Sequence, residues 1–565
     1  MTFYEKIDTT VEAIAGALWG TPLIILLLGG GIFFSIYSRF TPFLFIKHAI
    51  DVLMGKYDSD DDPGQITHFQ ALSSALASTV GMGNIAGVAV AIQTGGPGAI
   101  FWMWLTAVIG MSTKFFTCTL AVMYRGRDDQ GEVQGGVMYY IEEGLGKKYR
   151  PLALMFSISG LLGCITFFQA NQLSQIIRDF FYKPAGLFQT SQFTGDLISG
   201  IVVAVLVGIV IFGGIQRIAK VAEKLVPGMV GLYILGAVFI LGKNFEQIPG
   251  IFSMIIKDAF TGDAVMGGAL GAMIITGVRR GLFSNEAGTG TEAMAHGAAK
   301  TTEPVREGLV AMLGPFIDTI MVCTITALII LTSGIWQAGF EGTISSINPK
   351  QGTIVINLSQ LNDLEPPSPG WLDYKFKSNF SSEKNSKTIP SIEFEIDSVI
   401  SKDEIIITEH YDKDKKPALA FTDSTIVFSS LKDNTKSLLI VGQSLLYDLN
   451  VEGVTMTALA FKRELGRLGE GLIIIAVLTF ALSTMFGYSY YGRKCVSHLF
   501  GTKWKSVYNW FYVGMIVVAS VSSLDIAVNF VDSAFALMII PTMVSTILLA
   551  PRVMREAKRY FSLLK

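Results

Sequence analysis

The 565-residue sequence is poor in charge, because Asp, Glu, Lys and Arg together make up 16% of it. Soluble domains carry about a quarter. The net charge of −2 and the lack of a basic region exclude the electrostatic footprint of a nucleic-acid-binding protein. No nucleophile motif and no histidine spacing indicates an enzyme or a bound cofactor. The cysteines have neither metal-ligand spacing nor a disulfide framework, and we interpret them as small buried hydrophobes: Cys118, Cys164, Cys323 and Cys495.

The N-terminus also lacks the charged leader and small-residue cleavage site of a signal peptide, so its first apolar run is predicted to be a retained span. Half of the sequence is hydrophobic, and the mean hydropathy is +0.48. Eleven runs are long enough to cross a bilayer, which predicts an all-α polytopic membrane protein. They cover residues 16–37, 71–94, 99–124, 151–178, 195–213, 225–242, 264–296, 307–333, 468–491, 507–524 and 526–550.

The distribution of basic residues predicts the orientation of these spans. The loops of one side, 38–69, 125–150, 214–224, 297–308, 492–508 and 550–565, carry 22 Lys and Arg. The opposite short segments, 1–20, 93–98, 178–196, 242–263 and 520–526, carry 5. The positive-inside rule then places the C-terminus in the cytoplasm and the N-terminus outside. We expect a plasma-membrane protein, of the bacterial inner-membrane type.

One region, 335–448, has no spanning run, and 11 Lys and 16 Asp or Glu lie between 341 and 448. Residues alternate with period two at Ile392–Asp397, which is typical of a strand. We predict a small β-rich insertion on the outside that divides the transmembrane core into 1–334 and 449–565. It either captures an unknown partner or ligand, closes over the core as a lid, or is an elaborated loop.

Two spans have broken, polar centres. Span 71–94 contains glycines at 81, 83 and 87 around Asn84, and residues 277–292 contain two arginines, two glutamates and four glycines. Unwound backbone at membrane depth is tolerated only where it lines a cavity or packs inside protein. Such helices are typical of the solute and ion sites of transporters, although small residues also let helices pack closely.

The two broken spans are five apart in the chain. If the first span is set aside, the remaining ten divide into two sets of five, 71–242 and 264 onwards, each beginning with a broken helix. That arrangement predicts a 5+5 inverted repeat around a site at the middle of the membrane, with one extra N-terminal helix.

Seven motifs in order along the chain make it resemble the alanine/glycine:cation symporter family, also called sodium:alanine symporters. They are Thr79–Gly87, Gly136–Gly146, Phe168–Asn171, Arg280–Gly290, Pro304–Leu313, Phe316–Thr319 and Tyr490–Gly492. The resemblance covers nearly all of the membrane part and not 335–448. It implies a leucine-transporter-like fold and symport of a small neutral amino acid with sodium, or with protons in some members.

The resemblance also implies where the amino acid binds, with Phe283 closing a tight pocket. The implied substrate residues are Thr79, Gly81, Gly83, Asn84, Gln169, Asn171, Phe283, Ser284, Asn285 and Gly288. Unwound helix ends offer N–H groups to a carboxylate and carbonyls to an ammonium. For the two amides, Gln169 and Asn171, interhelical hydrogen bonding is the alternative.

Two sodium sites follow from the same resemblance. One combines carbonyls of Ala77 and Val80 with the hydroxyls of Ser483 and Thr484, which alternatively bond back onto their own helix. The second combines Thr79, Asn84, Thr289 and the substrate carboxylate.

Ionisable residues within the spans are candidates for coupling and gating. Asp318 is the first choice for ion coupling, and Arg279, Arg280 and Glu286 form either a gate ion pair or a structural buried pair. Lys114 alternatively snorkels to the inner surface.

The sequence departs from the family at two positions, and one function of another class stays open. Family members often carry a glutamate where Thr117 stands, so a charge pair with Lys114 is missing, and a tryptophan where Val528 stands. The alternative function is a transporter-derived membrane sensor that acts through its outer module.

Overall fold

The computed structural model describes residues 13–59, 61–129, 133–182, 185–188, 191–261, 269–337, 453–522 and 524–564, and ten strands between 339 and 449. The chain forms two compact units. The first comprises Met1–Ile177, Ser191–Ser333 and Gly453–Lys565, and the second comprises Arg178–Thr190 and Gly334–Glu452. The N-terminal dozen residues and residues 264–268 of the predicted seventh span lie outside the described part.

The first unit is built from helices, as its apolar runs predict. Its main helices are α1 (Thr21–Tyr37), α2 (Ile46–Leu53), α3 (His68–Thr79), α4 (Gly83–Gly95), α5 (Ala99–Met123), α6 (Arg150–Gly163), α7 (Phe167–Ile177), α8 (Gln192–Ile211), α9 (Gly214–Lys243), α10 (Ile248–Thr261), α11 (Ala269–Asn285), α12 (Glu292–His296), α13 (Pro304–Ser333), α14 (Val454–Leu465), α15 (Arg467–Phe500), α16 (Lys505–Ser520) and α17 (Leu524–Leu563). Among the described residues, seven helices are long and apolar enough to cross a membrane, or eight if α3 and α4 count as one bent span. This is the architecture of a polytopic membrane protein, and the count of eleven spans stays a prediction.

The first break separates α3 from α4 at Val80–Met82, and the two helices meet at an angle of 52°. Helix α3 begins with a capping box between Thr67 and Gln70, which satisfies N–H groups at its first turn. At the break, the Thr484 side chain of α15 lies so close that a Cβ on Gly81 would stand 2.1 Å from its Oγ1. Glycine is therefore required here by close packing as well as by the unwound backbone.

The second break separates α11 from α12 between Asn285 and Glu292. Three of its residues have left-handed backbone conformations: Glu286 at φ +55°, Gly288 at φ +98° and Gly290 at φ +81°. Glycine adopts this region freely, whereas a non-glycine residue in such a sparsely populated region costs about 1–3 kcal/mol. The surrounding contacts must therefore hold Glu286 in place.

Small residues let helix α11 pack closely on α5 and on the first break. A Cβ on Gly277 would stand 2.5 Å from the Ala99 carbonyl, and one on Gly281 would stand 3.1 Å from Met103 Cα. Across the other face of α11, a Cβ on Gly83 would lie 3.1 Å from the Phe283 ring. This close packing brings the two broken segments side by side in the buried centre of the first unit.

The strands of the described residues form three sheets. In the first unit, β1 (Gly126–Arg127) pairs with β2 (Val133–Gln134). The strands of the second unit are β3 (Gly339–Asn348), β4 (Thr353–Gln360), β5 (Lys375–Ser378), β6 (Ile392–Glu395), β7 (Ser398–Ser401), β8 (Glu404–Thr408), β9 (Leu419–Thr422), β10 (Thr425–Ser429), β11 (Lys436–Ile440) and β12 (Ser444–Leu449). Seven of them pair in the order β6-β5-β12-β3-β4-β8-β7, and three in the order β11-β10-β9.

We predict that Gly81→Ala destabilises the folded protein, because its methyl group would displace Thr484 and part α3 from α15. Overpacking of this kind costs about 1–3 kcal/mol. The matched control is Gly231→Ala in α9, where nothing lies within 4 Å of the added Cβ. Thermal unfolding of the purified protein should show a lower midpoint for Gly81→Ala and an unchanged or higher one for Gly231→Ala.

Candidate functional site

Asn84 connects the first break to helices α11 and α13. Its side-chain oxygen accepts a hydrogen bond from the Gly81 N–H at 2.8 Å, which satisfies an unwound backbone group of its own segment. Its amide nitrogen lies 3.1 Å from Ser284 Oγ on α11 and 2.8 Å from the Asp318 carbonyl on α13. Because Asn84 is fully buried, these bonds also compensate its own desolvation.

A cluster of small polar groups surrounds this amide. Ser284 Oγ lies 3.1 Å from Thr319 Oγ1 and 3.2 Å from Cys323 Sγ, and the Asn285 amide donates to Thr319. Every residue of this cluster is buried. The sequence predicted Ser284 and Asn285 at the site, and the structure brings both of them to Asn84 or its immediate neighbours.

Two buried oxygens in this cluster are not hydrogen-bonded. The Thr319 hydroxyl donates to one carboxylate oxygen of Asp318. Among the described residues, neither Asp318 Oδ2 nor Thr79 Oγ1 has a hydrogen-bond partner, although the hydroxyl lies beside the carboxylate. A buried carboxylate oxygen without a donor is costly unless a cation or a proton compensates it.

The ring of Phe283 forms one wall of this region. It packs against the backbone of Gly83, edge-on to Phe168 at 5.1 Å between ring centroids, and near Phe535 at 5.9 Å. A side chain larger than hydrogen at Gly83 would press on this ring. The aromatic packing therefore restricts the volume next to the two breaks.

Glu286 holds the second break in its left-handed conformation. Its two carboxylate oxygens accept hydrogen bonds from Tyr488 on α15 and from Thr291 at the far end of the break. Glu286 is fully buried, so these contacts fix the loop from both sides. This assigns Glu286 a structural contact with α15 rather than with an arginine.

The hydroxyls of Ser483 and Thr484 both donate to the Phe480 carbonyl, at 2.9 and 3.0 Å. The back-bonded geometry predicted as the alternative is therefore present. Each hydroxyl oxygen keeps acceptor capacity, and Thr484 faces the first break beside Gly81. Ala77 and Val80 are buried at the end of α3 and at the break itself.

The two amides of α7 differ. Asn171 donates to the carbonyl of Ser522, in the connection between α16 and α17, at 2.5 Å. The side-chain oxygen of Gln169 is buried and has no hydrogen-bond partner among the described residues. Of the two, Gln169 is therefore the one with an acceptor available to a ligand.

Gly288 and Thr289, within the second break, contact α1 and α17. A Cβ on Gly288 would meet Leu27 of α1 and Met543 of α17, and Thr289 donates to the Glu286 carbonyl. Thr289 also accepts, at its own carbonyl, a hydrogen bond from Thr542. These contacts neither include nor exclude Asn84, so the assignment of Gly288 to the substrate site and of Thr289 to a sodium site stays a prediction.

The two arginines pair with Asp532 on α17. Arg280 forms a buried ion pair with it, and Arg279 Nη1 lies 3.8 Å from the same carboxylate. The predicted partner, Glu286, is instead bound by Tyr488 and Thr291, so that pairing is wrong. The guanidinium of Arg280 also lies 5.3 Å from the Phe283 ring centroid, which puts the ion pair directly beyond the aromatic wall.

Lys114 is buried, with 1% of its surface exposed, so it does not snorkel to a surface. It attracts the carboxylates of Asp318 and Glu286. The glutamate that family members often carry at position 117 is absent, and Thr117, one turn along α5, instead donates to Glu292 of α12 at 3.1 Å.

The comparisons with known proteins agree with this geometry. The model of the sodium:alanine symporter family matches residues 4–361 and 420–565. The chain belongs to the sodium:alanine symporter family. Residues 362–419 are the internal part without a match, which is narrower than the predicted insertion 335–448.

Two relatives align with nearly the full length of this symporter. It is 32% identical to the sodium/alanine symporter AgcS of Methanococcus maripaludis over 97% of this chain and 96% of that protein. It is 32% identical to an uncharacterized transporter of Haemophilus influenzae over 99% of this chain and 97% of that protein. It is a cation-coupled amino-acid symporter and a multi-pass membrane protein, not an enzyme.

The fold matches that of the solved transporter MhsT, from its complex with L-phenylalanine. The TM-score is 0.50, with 12% sequence identity over 86% of this chain and 89% of that chain. At this identity the likeness concerns the fold alone, and it confirms the leucine-transporter-like architecture that the sequence motifs implied.

Three residues of the site were missed by sequence reasoning. Asp532 is the lone charge in the apolar run 526–550, and that signal was sufficient to mark it as a buried partner of an arginine. Cys323 and Tyr488 have no comparable signal, since buried cysteines and tyrosines are common in helix cores. Their roles depend on contacts with Asn84 and Glu286.

We predict that Asp532→Asn destabilises the symporter and that Asp51→Asn does not. The first change leaves buried Arg280 without its counter-charge, and breaking a buried pair costs about 3–5 kcal/mol. The second change removes an exposed contact with Lys56, and such surface pairs contribute little. Thermal unfolding of both variants in detergent tests this, and equal midpoints for the two would contradict it.

Proposed function

We propose that the symporter couples uptake of a small neutral amino acid, of the alanine or glycine class, to sodium. The observation that carries this proposal is the Asn84 amide, which joins the first break to Ser284 and Asp318 in a fully buried polar cluster. The family and the sodium/alanine symporter relative support the same substrate class.

For the amino acid, the unwound segments provide complementary groups. Backbone N–H groups and carbonyls of the breaks can bind the carboxylate and ammonium of a zwitterion. The Phe283 ring and its packing on Gly83 and Phe168 favour a small side chain. Gln169 Oε1 is a further buried acceptor for the ammonium. We therefore place the substrate against Thr79, Gly81, Gly83, Asn84, Gln169, Phe283, Ser284 and Asn285.

For the cation, we propose a site at Asp318, with Thr79, Asn84 and Ser284 around it. Sodium in transporters is coordinated by oxygens of unwound backbone and neighbouring side chains. Asp318 Oδ2 and Thr79 Oγ1 are buried oxygens that fit this requirement. A second site is the one predicted at Ala77, Val80, Ser483 and Thr484, which the position of Thr484 beside Gly81 supports. A proton on Asp318 is the alternative to sodium.

We further propose alternating access by the 5+5 inverted repeat, with eleven spans and the C-terminus in the cytoplasm of a bacterial cell. The Arg279, Arg280 and Asp532 cluster is the outer gate in this scheme, since it lies directly beyond Phe283. The β-rich segment 335–448 is proposed to lie outside. Family membership favours transport over the alternative of a membrane sensor.

Uptake by purified symporter in liposomes tests this function. Alanine or glycine uptake should rise at least about tenfold when an inward sodium gradient replaces equal potassium, and no dependence on either sodium or pH would contradict the proposal. Asn84→Ala should lower uptake to a tenth or less, because each buried hydrogen bond contributes about 1 kcal/mol and 1.4 kcal/mol is a factor of ten. The control Asn244→Ala changes an asparagine at the end of α9 and should transport normally.

Removing the insertion tests its role separately. If 341–447 is only an elaborated loop, a shortened symporter should keep sodium-dependent uptake within about threefold of the full chain, since loop length affects stability only weakly. Loss of uptake with an unchanged unfolding midpoint of the helical part would indicate a lid or gate.

A further inference from the structure

The chain segments before α3 and after α12, at the helix ends that point away from the breaks, are hydrogen-bonded to each other. Helix α3 follows residues 63–66, and α12 is followed by residues 297–301. These two segments exchange main-chain hydrogen bonds: Gln65 N–H donates to the Ala298 carbonyl at 2.8 Å, and Lys300 N–H donates to the Ile66 carbonyl at 2.7 Å. They pair as a short parallel bridge outside any regular sheet.

Arg125 crosslinks the same two segments. Its guanidinium donates to the Gly297 carbonyl at 2.9 Å, to the Pro63 carbonyl at 3.0 Å, to the Thr301 carbonyl at 3.2 Å and also to the Ala299 carbonyl. Burial lowers the pKa of Arg125 to about 10, so the guanidinium is still charged at neutral pH. Four carbonyls from two segments are thus held by one cation, and a planar guanidinium is suited to such a geometry.

A buried carboxylate also links α3 to α12. Glu307 on α13 binds Nδ1 of His68, the first residue of α3, and its other oxygen lies 2.5 Å from Nδ1 of His296, the last residue of α12. All three side chains are at most 1% exposed. Asp58 Oδ1 is the next charge, 3.9 Å from His68 Nε2.

These contacts lie at a distance from the proposed substrate site but on the elements that form it. Glu307 and Asp318 belong to the same helix, eleven residues apart, which is about 16 Å along its axis at 1.5 Å per residue. Helices α3 and α12 pack against each other. Parting these helices requires breaking the contacts of both Arg125 and Glu307.

We infer that Arg125 and Glu307 form a latch that keeps this end of the transport path closed, and that opening toward this side releases it. The inference rests on the alternating access proposed above, with this end being the cytoplasmic one. Arg125 and Glu307 are positioning residues in this role, because they contact neither the substrate nor the cation site. The latch and the Arg280–Asp532 pair then close the same site from opposite ends.

Cys118 offers a native reporter of the opening. It is fully buried on α5, and the carboxylates of Glu292 and Glu307 are among its charged neighbours, which puts it between the site and the latch. Cys164 and Cys495 are equally buried elsewhere in the helical unit. Alkylation by N-ethylmaleimide, followed for each cysteine by mass spectrometry of its peptide, therefore separates local opening from unfolding.

We expect Arg125→Gln in the full-length protein in liposomes to speed alkylation of Cys118 at least about tenfold, which corresponds to a shift of 1.4 kcal/mol toward the open state. Cys164 and Cys495 should react at the wild-type rate. Arg150→Gln is the matched control, because it removes a guanidinium that is 69% exposed and 3.6 Å from Glu142. It should leave all rates unchanged.

If Arg125→Gln unfolds the protein, alkylation of all cysteines should become faster. Arg125→Lys and Glu307→Gln are milder changes that test the latch in that case. In Arg125→Lys, lysine keeps the positive charge but lacks the planar guanidinium that binds four carbonyls. In Glu307→Gln, glutamine keeps the shape of the side chain but loses the negative charge that faces the two histidines. Both should speed alkylation of Cys118 alone and raise the KM for uptake from the outside, because fewer molecules face outward.

A Cys118 rate equal to that of wild type in both folded variants would overturn the latch. The measurement needs no substrate, so it is independent of the proposed transport activity. If Cys118 responds while no sodium-dependent uptake of alanine or glycine occurs, the proposed function fails and the latch stands.

Discussion

The need to satisfy unwound backbone in an apolar interior shapes the centre of this symporter. Breaking two helices at the middle of a membrane protein releases N–H and carbonyl groups that water does not reach. Asn84 meets part of that need by accepting from Gly81 within its own break and donating to Ser284 and Asp318 across the cluster. Because one side chain joins the first break to α11 and α13, the position of these elements depends on it.

Buried charges are arranged around this cluster so that each has a counterpart. Arg280 pairs with Asp532, Glu307 binds two histidines, and Glu286 is held by two hydroxyls. Lys114 faces the carboxylates of Asp318 and Glu286. Removing one member of such a buried set is far more costly than removing a surface pair. These pairs therefore hold the helices in place around the polar cluster of Asn84 and Asp318.

The breaks themselves were predictable from local sequence, whereas several contacts were not. Glycines and polar residues inside an apolar run indicate an interruption, and the structure unwinds at Val80–Met82 and between Asn285 and Glu292. The pairing of Arg280 with Glu286 was wrong, because proximity in sequence says little once Glu286 turns left-handed toward Tyr488. The contacts of Gly288 with α1 and α17, and of Thr289 with α17, were likewise not predictable from sequence.

Asn84, Ser284 and Asp318 were all identified from sequence as candidates, but their contact could not be. Sequence by itself determined the membrane class, the position of the two broken helices and the family, because hydropathy, glycine content and motif order are local properties of the chain. Tertiary structure alone decided which charge pairs with which, that Thr117 donates to Glu292, and that Arg125 joins the two helix ends. Those choices depend on helix packing that brings together residues more than sixty positions apart, and no local pattern records such contacts.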